Sequence, residues 1–327
     1  MKKTYIGALC IMLAAFLWAF DGVVFTPWIM ELGLFDVPTI VFMLHATASI
    51  FLSYFYFTRR FELKNLNKRD WVSFVLVGIF GGSLGTMAIV AAILMVYSHG
   101  LNIAVVLLLQ KLQPVFAILL AFFILKERPH KQFYIWALIA IVSSYFVTFG
   151  FEKPNFDATG MFIPALLALV AAFSFGSSTV FSKHAVAKVS HGMGTALRFF
   201  MTTAVMLALV VVISLLKIAG LDISYLGFGG FGFITHKLVG LFLLIAFTTG
   251  GTAIFIYYYG LKKVTATQST MYELIFPVSA IVLEFIIRDK VLSKGQWFGT
   301  IIMLVALFFI VRLHTTYDTG DRRIESQ

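Results

Sequence analysis

Ten apolar segments, each close to 20 residues long and separated by short polar stretches, divide this chain from end to end. They cover residues 5–25, 38–57, 71–95, 101–123, 133–151, 160–181, 194–216, 238–261, 265–287 and 296–313. A helix rises about 1.5 Å per residue, so about 20 residues cross the roughly 30 Å hydrocarbon core of a bilayer. With 60% of its residues hydrophobic and only 12% charged, the chain lacks the polar side chains to clothe ten such segments for water. None of them alternates as an outer-membrane strand does. The expected fold is therefore an all-α polytopic membrane protein with ten transmembrane helices, with no length left for an extramembrane catalytic domain. Met1-Lys2-Lys3 ahead of the first apolar run imitates a signal peptide. The run is too long and lacks a cleavage motif, so it reads as a retained first span.

The formal charge of +10 does not point to nucleic acid, because the basic residues stand in short runs between spans rather than along one face. Of the 25 lysines and arginines, Lys111 and Arg198 fall within spans. Lys153, Lys217, Lys237, Arg288, Lys290 and Lys294 fall on one side, and the other seventeen on the side of the termini. By the positive-inside rule both termini are cytoplasmic. The loop 217–237, with Gly227, Gly229, Gly230 and Gly232 among phenylalanines, reads as a flexible interfacial loop; no GxxxxGK phosphate cradle occurs. The polar tail 314–327 is expected to be cytoplasmic and disordered. A single cysteine, Cys10, excludes a disulfide framework and a cysteine-based metal site. No metal or cofactor is expected.

The chain repeats itself. Leu109-Gln-Lys-Leu-Gln-Pro114, followed by Val-Phe-Ala-Ile and later Lys126-Glu127-Arg128, matches Tyr272-Glu-Leu-Ile-Phe-Pro277, Val-Ser-Ala-Ile and Arg288-Asp289-Lys290, the spacing differing by one residue. Ala14-Ala15-Phe-Leu-Trp18 matches Ala171-Ala172-Phe-Ser-Phe175, and Gly85-Thr86 matches Gly251-Thr252. Five spans is an odd number, so the second copy starts on the opposite side of the membrane. Two inverted five-helix repeats place a binding site near the midplane and provide alternating access.

These motifs resemble the drug/metabolite transporter superfamily, and within it the EamA-type ten-helix transporters. The resemblance covers nearly the whole chain: residues 1–151 as a first EamA-like repeat and 158–313 as a second. It implies a secondary transporter in the membrane, expected to be the bacterial cytoplasmic (inner) membrane, as a monomer or homodimer. Members of that superfamily move amino acids, amines, nucleotide sugars and phosphorylated sugars. The chain departs from the pattern at Phe175, opposite Trp18, and at His45, where arginine is frequent, with Arg198 at its counterpart.

Ionisable side chains at membrane depth cost roughly 2.5–3.5 kcal/mol each on insertion scales, so each marks a candidate site. Lys111, three residues before Pro114, meets either a substrate carboxylate or phosphate or a structural partner in Asp21 or Glu273. Glu273, four residues before Pro277, binds an ammonium, carries a coupling proton or pairs with Lys111. Asp21 shares a helix face with Trp18 beside Phe25, an aromatic wall suited to a cation. His45 is a proton relay or a hydrogen-bonded structural histidine. Arg198 reads as snorkelling to the interface, and Glu284 as a surface pair with Arg288. Tyr257, Tyr258 and Tyr259 read as an interfacial anchor, Tyr272 as a cavity residue. Gly78, Gly81, Gly82 and Gly85 suit close helix packing. The GxSxG match at Gly81–Gly85 lacks the strand-to-helix turn of a nucleophile elbow.

The candidate substrate site is thus Trp18, Asp21, His45, Lys111, Tyr272 and Glu273, with Asp21, His45 and Glu273 as candidates for proton coupling and no catalytic set. Both charge signs suit an amino acid as the small-molecule substrate, whereas acids already paired with Lys111 and Arg198 leave a nearly neutral aromatic pocket suited to an amine or apolar solute. A phosphorylated or nucleotide-linked sugar, or a non-transport membrane enzyme or lipid-handling protein, is the alternative.

Overall fold

The computed structural model describes residues 2–33, 36–99, 101, 103–153, 160–220, 231, 234–289 and 291–324. Among them are ten helices long and apolar enough to cross a bilayer: α1 Lys3–Ile29, α2 Val37–Asn65, α3 Lys68–Val96, α4 Val105–Leu125, α5 Lys131–Phe149, α6 Phe162–Ala185, α7 His191–Ile218, α8 His236–Leu261, α9 Ala266–Ile287 and α10 Lys294–Leu313. Large apolar side chains such as Ile50, Phe123 and Phe162 point outward, 70%, 73% and 78% exposed, a surface that only lipid satisfies. The helix of α10 continues to Ile324, so the segment expected to be a disordered tail prolongs the span. The glycine-rich part of loop 217–237 lies outside the described residues.

Polar residues placed at the span ends start the helices. Asp36 accepts from Thr39 N at 2.9 Å with Pro38 in the first turn of α2, Asn67 and Asp70 form a capping box on α3, and Thr265 and Gln268 form another on α9. The packing repeats with the sequence. α1 lies on α8 and α9, its counterpart α6 on α3 and α4, α2 pairs with α7, and α5 with α10. Exchanging the two halves turns the contacts of α1 into those of α6 and leaves the pairs α2–α7 and α5–α10 unchanged.

Where the sequence repeats Gly-Thr, the helix widens. Gly78–Leu84 of α3 and Ala246–Gly250 of α8 are π-helical. A widened turn carries a carbonyl over the residue five further on. A Cβ on Gly85 would stand 2.7 Å from the oxygen of Phe80, and one on Gly251 2.7 Å from that of Ala246. Thr86 and Thr252 then donate their hydroxyls to the carbonyls of Gly81 and Phe247, five residues back, satisfying acceptors that the wide turn leaves without an ordinary helical donor. Gly81 and Gly82 also admit neighbours closely: a Cβ would stand 2.1 Å from Ser178 Oγ and 1.9 Å from Thr202 Oγ1 respectively.

The prolines break one helix in each half. α4 interrupts at Lys111 and Leu112, between Ile103–Gln110 and Gln113–Leu120, and α9 at Glu273 and Leu274, between Ala266–Tyr272 and Ile275–Arg288. Twelve residues past each proline the backbone turns left-handed, at Lys126 (φ 57°) and Asp289 (φ 53°). Lys126 thus corresponds to Asp289, and the one-residue offset suggested by matching the charged triplets is absent from the backbone.

We predict that Gly85→Ala and Gly251→Ala each destabilise the protein by about 1–3 kcal/mol, the cost of overpacking. Gly240→Ala, with nothing within 4 Å of the new methyl, is neutral or stabilising by up to about 1 kcal/mol. Thermal unfolding in detergent checks this, and equal effects at all three positions would remove the close-approach explanation.

Candidate functional site

Between the halves lies a cavity of about 830 Å³ to which all ten spans contribute. Its walls run out to Ile29, Leu94, Val291 and Leu292 on the face opposite the termini. Toward the termini they stop inside the spans, at Thr179 of α6, Arg198 of α7, Tyr257 of α8 and Thr270 of α9. The cavity therefore opens on the far face and ends blind toward the termini.

Five of the six sequence-predicted site residues line it: Trp18, Asp21, His45, Lys111 and Glu273. Asp21 begins a π-turn, Asp21–Phe25, and its Oδ1 accepts from Thr249 Oγ1 at 3.0 Å. That wider turn takes Phe25 off the cavity face; it packs against Phe20 and Trp28 instead of completing a wall with Trp18. His45 Nδ1 lies 2.8 Å from the carbonyl of Val41, which only accepts, so Nδ1 carries the hydrogen. Its ring stands 5.3 Å from that of Phe199.

The broken helices reach across to each other. Gln113 of α4 donates Nε2 to Glu273 of α9 at 2.8 Å, and Lys111 of α4 holds Nζ 3.7 Å from the centroid of Phe276 of α9. Lys111 forms neither of the expected ion pairs: among the described residues no carboxylate lies within 4 Å of it. A cation over an aromatic face keeps part of its stabilisation without losing its charge. Glu273 also accepts from Tyr257 at 2.9 Å, and the ring of Tyr257 stands 5.4 Å from that of Trp18.

The tyrosines are placed differently from the sequence expectation. Tyr272 is wholly buried, in a segment Ala266–Tyr272 whose every residue is buried, and it does not line the cavity. Tyr257, assigned to an interfacial anchor, lines it instead. Tyr258 is buried on Ser182 at 2.8 Å, and only Tyr259 of the triplet is exposed. Arg198 does not snorkel: residues 192–197 ahead of it are buried beneath neighbouring helices, and its guanidinium lines the cavity, 3.5 Å from Ser178 Oγ. Glu284 lines the cavity as well; the side chain of Arg288, its expected partner, lies outside the described residues. A cation inside a span was the signal for Arg198, and its closeness to the span end obscured it.

On the terminal face three carboxylates of the first half hold the second. Glu127 accepts from Ala266 N and Thr267 N at 2.8 and 3.0 Å, capping α9. Glu62 accepts from Ser190 N at 2.6 Å at the start of α7, and Asp70 accepts from Lys188 at 2.7 Å with His184 at 3.3 Å. Lys183 and Lys262 add a reciprocal clasp, Lys183 donating to the carbonyls of Leu261 and Val264, Lys262 to those of Val186 and Val189. In a Cys10→Ser background, Ser178→Cys should react with an impermeant thiol reagent from the far face. Adding Glu127→Ala, which removes a cap worth about 1–2 kcal/mol, should raise labelling from the terminal face about five- to thirtyfold. No gain there would mean that Glu127 does not hold this face shut.

A model described as the EamA-like transporter family matches residues 5–149 and again 162–312. The chain is 39% identical over 311 residues to "Riboflavin transporter ImpX" of Fusobacterium nucleatum subsp. nucleatum, covering 94% of this chain and 98% of that protein. It is 26% identical to "Uncharacterized transporter YwfM" of Bacillus subtilis over 60% of each. A crystal structure at 16% identity shares the fold with TM-score 0.64, over 94% of this chain and 97% of that one. With one family model fitting both of its halves in tandem and a relative aligned over almost its whole length, this integral multi-pass membrane protein belongs to the EamA-like transporter family.

Proposed function

We propose that the chain carries a flavin, or a similarly planar heteroaromatic solute, across the membrane by alternating access. The observation that carries this reading is the 39% identity with a relative named as a riboflavin transporter, over 98% of that relative. The cavity supports it. At about 830 Å³ it lies toward the upper end of small-molecule sites. Trp18, Phe175, Phe199, Tyr257 and Phe276 offer ring faces, and Asp21, His45, Lys111 and Glu273 offer polar contacts among them. An amino acid is the second reading, favoured by Lys111 standing, among the described residues, without a carboxylate within 4 Å while Asp21 and Glu273 share its cavity.

In this reading the protein sits in a bacterial cytoplasmic membrane with both termini inside, so the far-face opening admits solute from outside. Asp21, His45 and Glu273 carry the coupling proton. Proteoliposomes test both parts. Riboflavin uptake should saturate and Trp18→Ala should raise its KM about two- to tenfold, the worth of one aromatic pair. Uptake of amino acids or phosphorylated sugars without any flavin uptake would sink the flavin reading. An inward proton gradient should accelerate uptake, and Glu273→Gln should abolish that acceleration. Uptake indifferent to the gradient would make the process facilitated.

A further inference from the structure

The blind end of the cavity is polar. Ser178, Thr179, Arg198 and Glu273 line it, whereas the walls toward the far face hold apolar side chains such as Leu44, Val90 and Leu292 together with Thr26, Thr148, Glu284 and Gln296. Arg198 lies seven residues, about 10 Å, inside the end of α7, too deep to reach water on the terminal face. A guanidinium has five N–H donors in a rigid fork. Among the described residues its one hydrogen bond is the 3.5 Å approach of Nη1 to Ser178, and buried Nε has no partner. The ring of Tyr258 is 5.9 Å away, and among the described residues no carboxylate comes within 4 Å. At membrane depth such a cation is costly, and a ligand with paired acceptors removes the cost.

Glu273 supplies the complementary function. Its two oxygens accept one hydrogen bond each, from Tyr257 and Gln113, and a carboxylate has about four acceptor sites, so capacity remains. Donor fork and acceptor thus both line the closed end of the cavity.

We propose that Arg198 is a specificity-determining residue, its guanidinium taking the carbonyl edge of a planar heteroaromatic substrate while Glu273 takes the adjacent ring N–H. A flavin fits this arrangement: one edge of its ring system alternates carbonyl, N–H and carbonyl, and the opposite edge is methylated. The ring then sits polar edge inward, with its methylated end among the apolar walls. The inference rests on the flavin reading above.

Titration of flavin fluorescence against the purified full-length protein tests it. Wild-type protein should bind riboflavin and also lumichrome, which lacks the ribityl chain, and should prefer riboflavin to 2-thioriboflavin, whose sulfur accepts poorly. Arg198→Gln should weaken riboflavin and lumichrome alike by about 10- to 100-fold, the worth of hydrogen bonds to a charged donor, and should lose the preference for oxygen over sulfur. A merely structural role would lower affinity without moving that preference. Arg198→Lys, which keeps charge but not the fork, should fall between the two and serves if the glutamine variant does not fold. Wild-type protein that binds no flavin overturns both readings. Flavin binding with an unchanged oxygen-to-sulfur preference in the variants, or weakening confined to riboflavin, overturns the role of Arg198 alone.

Discussion

A bilayer interior offers no water to a backbone group that loses its helical partner, so wherever a span is broken the protein must answer for it. Pro114 and Pro277 impose that condition at matching places in α4 and α9. Both breaks face the same cavity, and each is met by a residue from the opposite half: Gln113 on Glu273, and Phe276 beneath Lys111. The midplane site thus stands where the side chains of the two broken helices meet. The wide turns of α3 and α8 serve the same end, turning freed carbonyls toward Thr86 and Thr252.

What was legible in the sequence followed from rules that hold residue by residue. Length and hydropathy mark ten spans, and the expense of burying charge marks Asp21, Lys111 and Glu273, all of which line the cavity. What failed depended on helical phase. A face drawn at 3.6 residues per turn puts Phe25 with Trp18, but the π-turn starting at Asp21 shifts the phase and sends Phe25 elsewhere. Tyr272 adjoins Glu273, yet the helix stops between them and the two side chains part company. Arg198 was misjudged for another reason. Snorkelling assumes a free path to the interface, and the first turns of α7 are enclosed by other helices.

Symmetry of fold does not make the two faces equivalent. On the terminal face Glu62, Asp70 and Glu127 of the first half grip the second. Carried through the repeat, the places of Glu62 and Asp70 on the far face fall to Leu215, by the register that equates His45 with Arg198, and to His236, by that equating Gly85 with Gly251. Neither is an acid. The acid contacts that hold the terminal face thus have no counterpart at those positions of the far face, and the arrangement with the terminal face latched and the far face open is the one that these side chains favour.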